Sequence, residues 1–242
     1  MAGHSKWANI KHKKGREDAK RAKIFTKLIR EITVAARGGE DLSSNPALRL
    51  VVDKANQQNM PKDTINRAIA KGAGLQEGSA MDVVRYEGYG PSAVAVWVHC
   101  LTDNKNRTVA EVRHAFSKCG GNMGTEGSVS FQFKHKGIIY VDRSANEEQL
   151  FELVLEAGAE DAITHNDSFE IQTQPEDYEN VCQSLSDANI ETLSKEVTWV
   201  CDNYIDLEQE KSEQVMRLID MLEDLDDVQE VFTNINLANV NE

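Results

Sequence analysis

Lysine and arginine crowd the front of this 242-residue chain, with aromatic and imidazole rings set among them. Lys6, Lys11, Lys13, Lys14 and Arg16 alternate with His4, Trp7 and His12. Cationic groups in that density neutralise phosphates, and an interleaved ring stacks on bases. The segment has no periodic apolar face, so the reading is an arm that cannot fold on its own and is free to follow a phosphate backbone, with Trp7 available for stacking. Directly after it, KRAKIFTKLIREITVAAR fits a helix at about 100° per residue, with Ile24, Phe25, Leu28, Ile29, Ile32, Ala35 and Ala36 on one arc. Lys20, Lys23, Lys27, Arg30 and Arg37 share the opposite arc, which predicts a basic ridge standing clear of the core. A solvated surface of good helix formers is the blander account of the same residues.

The chain's net charge of −13 conceals this segregation. Residues 1–80 hold 16 lysines and arginines against 8 acids, and that whole excess of 8 is in place by residue 37. Residues 142–242 hold 4 against 27, so the back end is anionic and suited to a basic protein partner rather than to nucleic acid. One further polar stretch, Thr102-Asp103-Asn104-Lys105-Asn106-Arg107-Thr108, leaves an apolar strand and enters a helix. Lys105 and Arg107 there form a second, weaker candidate surface for nucleic acid, with a capped turn as the alternative reading.

Other chemistry lacks its constellation. The glycines of Gly120-Gly121-Asn122-Met123-Gly124-Thr125-Glu126-Gly127 lie between a helix end and a strand start, the reverse of a phosphate loop, and no GK[ST] follows. The six histidines make no HExxH pattern, the four cysteines make no CxxC pair, and there is no GxSxG elbow. Asp224, Asp226 and Asp227 belong to a run of acids expected to be a solvated face. No catalytic residue, metal or cofactor is assigned, and the expectation is a binding protein rather than an enzyme. With no apolar run of about 18 residues and no leader pattern, the chain is expected to be cytoplasmic, without membrane contact.

The elements that must position these groups follow from periodicity. Asn45-Pro46 opens a second helix and Asn59-Met60-Pro61 a third, which Gly72 and Gly74 end. From about residue 82 the period becomes two, with strands near 83–87 and 93–101 separated by Gly88-Tyr89-Gly90-Pro91. A helix over 108–118 and a strand in GSVSFQFK follow. Residues 137–200 read β-α-β-β-α-β, the order of a ferredoxin-like unit, and the helix and strand after 205 complete what 82–134 lacks. The expected fold class is therefore α+β with three domains: a basic arm at 1–17, a helical domain at 18–78, a split α+β domain from 79–134 plus 205–242, and a ferredoxin-like domain at 135–204 inserted into it.

GHSKWANIKHKK, NMPKDTINRAIAKG, YEGYGP, LTDNKNRT and GNMGTEGSVSFQFKHKG, taken in order, resemble the YebC/PmpR family, which includes the mitochondrial translational activator of cytochrome c oxidase subunit I. The resemblance runs from Met1 to about Asn236, with conservative departures at Met123 and Phe232. It implies a cytoplasmic three-domain bacterial protein without established enzymatic activity. It also implies a nucleic-acid-binding regulator, described for some members as a transcriptional regulator on promoter DNA and for others as a ribosome-associated translation factor that relieves stalling. The transcriptional reading is the preferred expectation, and the residues alone do not separate DNA from ribosomal RNA.

Overall fold

The computed structural model describes residues 21–74 and 81–236, which fall into two compact units. One unit takes in residues 21–128 with Glu213–Val231, the other Val129–Ser212 with residues 232–236. No helix among the described residues is long and apolar enough to cross a membrane.

The first unit begins with three helices, α1 (Arg21–Ala35), α2 (Pro46–Gln57) and α3 (Lys62–Gly72). Asn45 caps α2 by accepting the Leu48 N–H at 3.0 Å, with Pro46 at the first turn where a missing N–H costs nothing. The apolar arc read from the sequence is the one that packs: Leu28, Ile32 and Ala36 are buried with Leu48, Val52, Ala55, Met60, Ile65 and Ala68, flanked by Ile24, Phe25, Ile29 and Ala35. Gly72 does more than end α3. A Cβ there would lie 2.1 Å from the Thr33 carbonyl oxygen, so the last turn of α3 touches the backbone of α1.

A four-stranded antiparallel sheet follows in the same unit, built from β1 (Asp82–Tyr89), β2 (Ala95–Thr102), β3 (Asn122–Met123) and β8 (Val228–Thr233) in the order β3-β1-β2-β8. Helix α4 (Lys105–Lys118) lies against β1 and β3. The expected break at Gly88-Tyr89 is displaced. Both residues belong to β1, opposite Val96 and Ala95, and the chain turns over 90–94 instead. Gly88 is needed in mid-sheet because a side chain there would meet the Phe116 ring at 2.8 Å and the Asn122 carbonyl at 2.5 Å. Helix α4 also starts earlier than its apolar pattern suggests, at Lys105, because Asn104 caps it by accepting the Arg107 N–H at 3.1 Å.

The strand expected in GSVSFQFK does not form as one element. Within residues 120–134 only Asn122–Met123, ahead of it, pairs with β1; Gly127 adopts a left-handed φ of 83°, and Phe133 opens β4 (Phe133–Asp142), a continuous strand of the other sheet. That sheet has the order β5-β6-β4-β7, with β5 (Ala159–Thr164), β6 (Ser168–Thr173) and β7 (Thr192–Cys201) all antiparallel to their neighbours. Helices α5 (Glu147–Glu156) and α6 (Tyr178–Asp187) supply Leu150, Val154, Val181 and Leu185 to a core with Ile139, Val141, Phe169 and Ile171. Glu170, fully buried on β6, is satisfied by Tyr140 Oη at 3.1 Å, Gln172 Nε2 at 2.6 Å and His165 Nε2 at 2.9 Å. The last helix, α7 (Gln209–Glu223), leads to β8.

The α1–α3 contact is directly testable. Gly72→Ala is expected to destabilise the chain by about 1–3 kcal/mol through overpacking, measured as a lower midpoint in urea unfolding followed by circular dichroism. An unchanged midpoint would show that the two helices part without penalty.

Candidate nucleic-acid interface

Lys6, Trp7, Lys11, His12, Lys13, Lys14, Arg16 and Lys20 lie outside the described residues. The remaining candidates, Lys23, Lys27, Arg30, Lys105 and Arg107, are within them, and all five are engaged with oxygen atoms of the chain itself.

The geometry centres on the turn between α7 and β8. Asp227, whose side chain is 2% exposed, sits one residue before β8. Its backbone carbonyl accepts the Leu101 N–H at 2.8 Å, which fixes the turn to β2. Its carboxylate receives Arg30 Nη1 at 2.7 Å and Arg107 Nη2 at 2.7 and 2.9 Å, with Arg107 Nε at 3.2 Å. The hydroxyls of Thr108 and Thr102 complete the shell at 2.8 and 3.1 Å. Arg30 comes from α1, Thr102 from the end of β2, and Arg107 and Thr108 from the first turns of α4. One carboxylate therefore joins three elements to the turn before β8.

Burial alone would push the Asp227 carboxyl up, but hydrogen bonds from Arg107, Thr108 and Arg30 outweigh it and hold the group below the ordinary carboxylate range. The same bond to Asp227, helped by Asp103 at 3.0 Å, holds the Arg107 guanidinium more firmly protonated. This corrects the expectation for the acidic run: Asp227 is the buried partner of two guanidinium groups, and only its neighbours Asp224 and Asp226 are exposed.

The ridge of α1 is corrected too. Its middle does not stand clear, because it faces the 224–229 turn. Lys23 Nζ donates to the Asp224 carbonyl at 2.9 Å and pairs with its carboxylate at 3.1 Å. Lys27 Nζ donates to the Gln229 carbonyl at 3.2 Å, and Arg30 also reaches the Leu101 carbonyl at 3.1 Å. Lys105 pairs with Asp82 at 3.3 Å. These contacts differ in strength. The Lys23–Asp224 and Lys105–Asp82 pairs are half exposed on both sides and exchange readily with solvent ions, whereas removing a donor from Asp227 leaves a buried charge uncompensated. The sequence places Asp227 on a solvated face, and the signal for its burial is slight: a third acid placed directly before the apolar β8 pattern.

A family model described as the TACO1/YebC protein N-terminal domain matches residues 5–75, and one described as the TACO1/YebC second and third domain matches residues 81–235. The chain is 60% identical over 236 residues to a "Probable transcriptional regulatory protein" of Coxiella burnetii, covering 97% of each. It is 58% identical to a protein of the same description from Dichelobacter nodosus, covering 97% of this chain and 96% of that one. Among solved structures, it is similar to a conserved hypothetical protein from Aquifex aeolicus, with a TM-score of 0.77 and 44% identity over 90% of this chain and 91% of that one.

Asp227 has a defined acid signature. Its pKa is depressed in the folded state, so its contribution to stability is present above the unfolded carboxylate pKa and is lost as pH falls through the lower folded value. Asp227→Asn is expected to lower stability at pH 7 by about 3–5 kcal/mol and to flatten the loss of stability between neutral and acid pH. Urea unfolding at several pH values measures both, and a variant as stable as the parent at pH 7 would remove Asp227 from its central place.

Proposed function

The chain belongs to the TACO1/YebC family, and from that premise we propose that it is a nucleic-acid-binding regulator of transcription that holds DNA through its phosphates. The observation that carries this reading is the charge segregation: 11 lysines and arginines against 3 acids by residue 37, in a chain whose net charge is −13. The description of its relatives as "Probable transcriptional regulatory protein" supports the same assignment.

In this reading the cations divide the labour. Arg30 and Arg107 serve Asp227 and are not available to a phosphate without exposing a buried carboxylate. The phosphate contacts are assigned to Lys6, Lys11, Lys13, Lys14, Arg16 and Lys20, with Trp7 stacking, and Lys23 joins them by exchanging the half-exposed Asp224 for a phosphate. Contacts of this kind position a protein on the duplex without reading bases, so sequence preference arises from DNA shape or from few side chains.

For about six phosphates neutralised, log K for a DNA duplex should fall with log salt at a slope near −5. Replacing Lys11, Lys13 and Lys14 with glutamine in the full chain should make that slope shallower by about 3. Fluorescence anisotropy on a labelled duplex across a salt series measures both. A chain that ignores DNA at low salt yet sediments with ribosomes would overturn the transcriptional reading.

A further inference from the structure

Among the described residues, Lys23, Lys27, Arg30, Lys105 and Arg107 are occupied, and a different set of cations is not. Helix α4 buries Thr108, Val112, Ala115 and Phe116 and turns Asn106, Ala110, Arg113, His114, Ser117 and Lys118 outward, all of them exposed. The side chains of Arg113, His114 and Lys118 have no ion-pair or hydrogen-bond partner among the described residues. No carboxylate shares their arc. Glu111, the helix's one acid, lies at its margin and is half-buried.

We propose that this outward face of α4 is a second phosphate-binding strip, whose occupant is the backbone of double-stranded DNA. The proposal rests on the nucleic-acid reading above and adds to it a surface outside the arm and ridge. From Asn106 to Lys118 the strip runs about 18 Å, roughly half a turn of B-form duplex. Ala110 and Ser117 keep the ground between the cations low, so a sugar-phosphate chain approaches the helix without meeting long side chains. Lys118 closes α4 in its last turn, where a positive charge is favoured by the helix dipole, and this holds the group at the helix end.

The energetic case turns on prior commitment. An exposed cation without an internal partner gives the full gain from releasing counterions condensed on DNA. Arg107, on the same helix, must first abandon a buried carboxylate, and Lys105 must leave Asp82. Arg113 and Lys118 have no such partner to give up among the described residues. In a chain with an overall excess of acids, such a carboxylate-free cationic face fits a polyanion.

The test uses the full chain and a labelled 20-base-pair duplex, with anisotropy read across a salt series. Arg113→Gln with Lys118→Gln should make the slope of log K on log salt shallower by about 2 and lower the affinity at 0.1 M salt by roughly one to two powers of ten. Arg113→Lys with Lys118→Arg should restore binding. Lys195→Gln with Lys211→Gln, which removes two exposed cations elsewhere, should change neither quantity. Unfolding midpoints of all variants should match the parent, since none of these side chains is buried. If the parent binds with a clear salt slope and the Arg113/Lys118 variant does the same, the strip is wrong while the functional reading stands. A parent that binds no DNA at any salt overturns both. A loss confined to an RNA hairpin, with duplex DNA binding intact, overturns DNA as the occupant.

Discussion

The first compact unit depends on one buried negative charge. Asp227 has lost its water, and its desolvation is offset by two guanidinium groups and two hydroxyls that converge within 3.2 Å. The side chain is short and its backbone is already pinned by the Leu101 N–H, so the carboxylate has little freedom to follow a partner that moves. The partners come to it. Helix α1 is held at Arg30, the end of β2 at Thr102, and the start of α4 at Arg107 and Thr108. The register between the helical segment and the sheet is thus set by charge as well as by apolar packing, and a buried ion pair with one donor removed is worse than none.

That constraint sorts the cations of the unit by what they can still do. A guanidinium that satisfies a buried carboxylate is a structural group, whatever its place on a helical wheel. A lysine in a half-exposed pair is interchangeable with any other counterion, since such pairs contribute about 0–1 kcal/mol. A lysine or arginine that faces water alone is ready to bind. Arg30 and Arg107 fall in the first group, Lys23 and Lys105 in the second, and Arg113 and Lys118 in the third. Composition cannot make these distinctions, because all six residues add one unit to the net charge.

Local features were the legible ones. The apolar arc of α1, the Asn45 cap, the β-α-β-β-α-β order of the second sheet and the buried pattern of its helices depend on spacing within about twenty residues, and each could be read directly. The fate of the ridge could not. Arg30 and Asp227 are 197 positions apart, and nothing in either neighbourhood marks the other. The same limit explains the missing strand before Phe133: residues 127–132 alternate as a strand should, but β1 takes its edge partner from Asn122–Met123, so the segment has no ladder to join. Strand formation is a statement about a neighbour, and the alternation of a single segment does not name one. Gly88 shows the converse error. Its turn-like sequence context, Gly-Tyr-Gly-Pro, hides a glycine required by the approach of Phe116 and β3 from elsewhere in the chain.

Net charge is a poor guide to what such a molecule binds, for a reason of scale. At physiological ionic strength the screening length is about 8 Å, so an exposed cation responds to the charges in its own patch and scarcely to the total. The 27 acids of residues 142–242 dominate the sum, yet at that ionic strength only those within about a screening length of a bound phosphate oppose it. The two electrostatic contributions therefore respond to salt in opposite senses: counterion release weakens attachment as salt rises, while screening of the acidic back end relieves repulsion. The slope of log K on log salt is therefore expected to be shallower at low salt than the number of contacted phosphates implies, and to approach that number as the acidic residues are screened out.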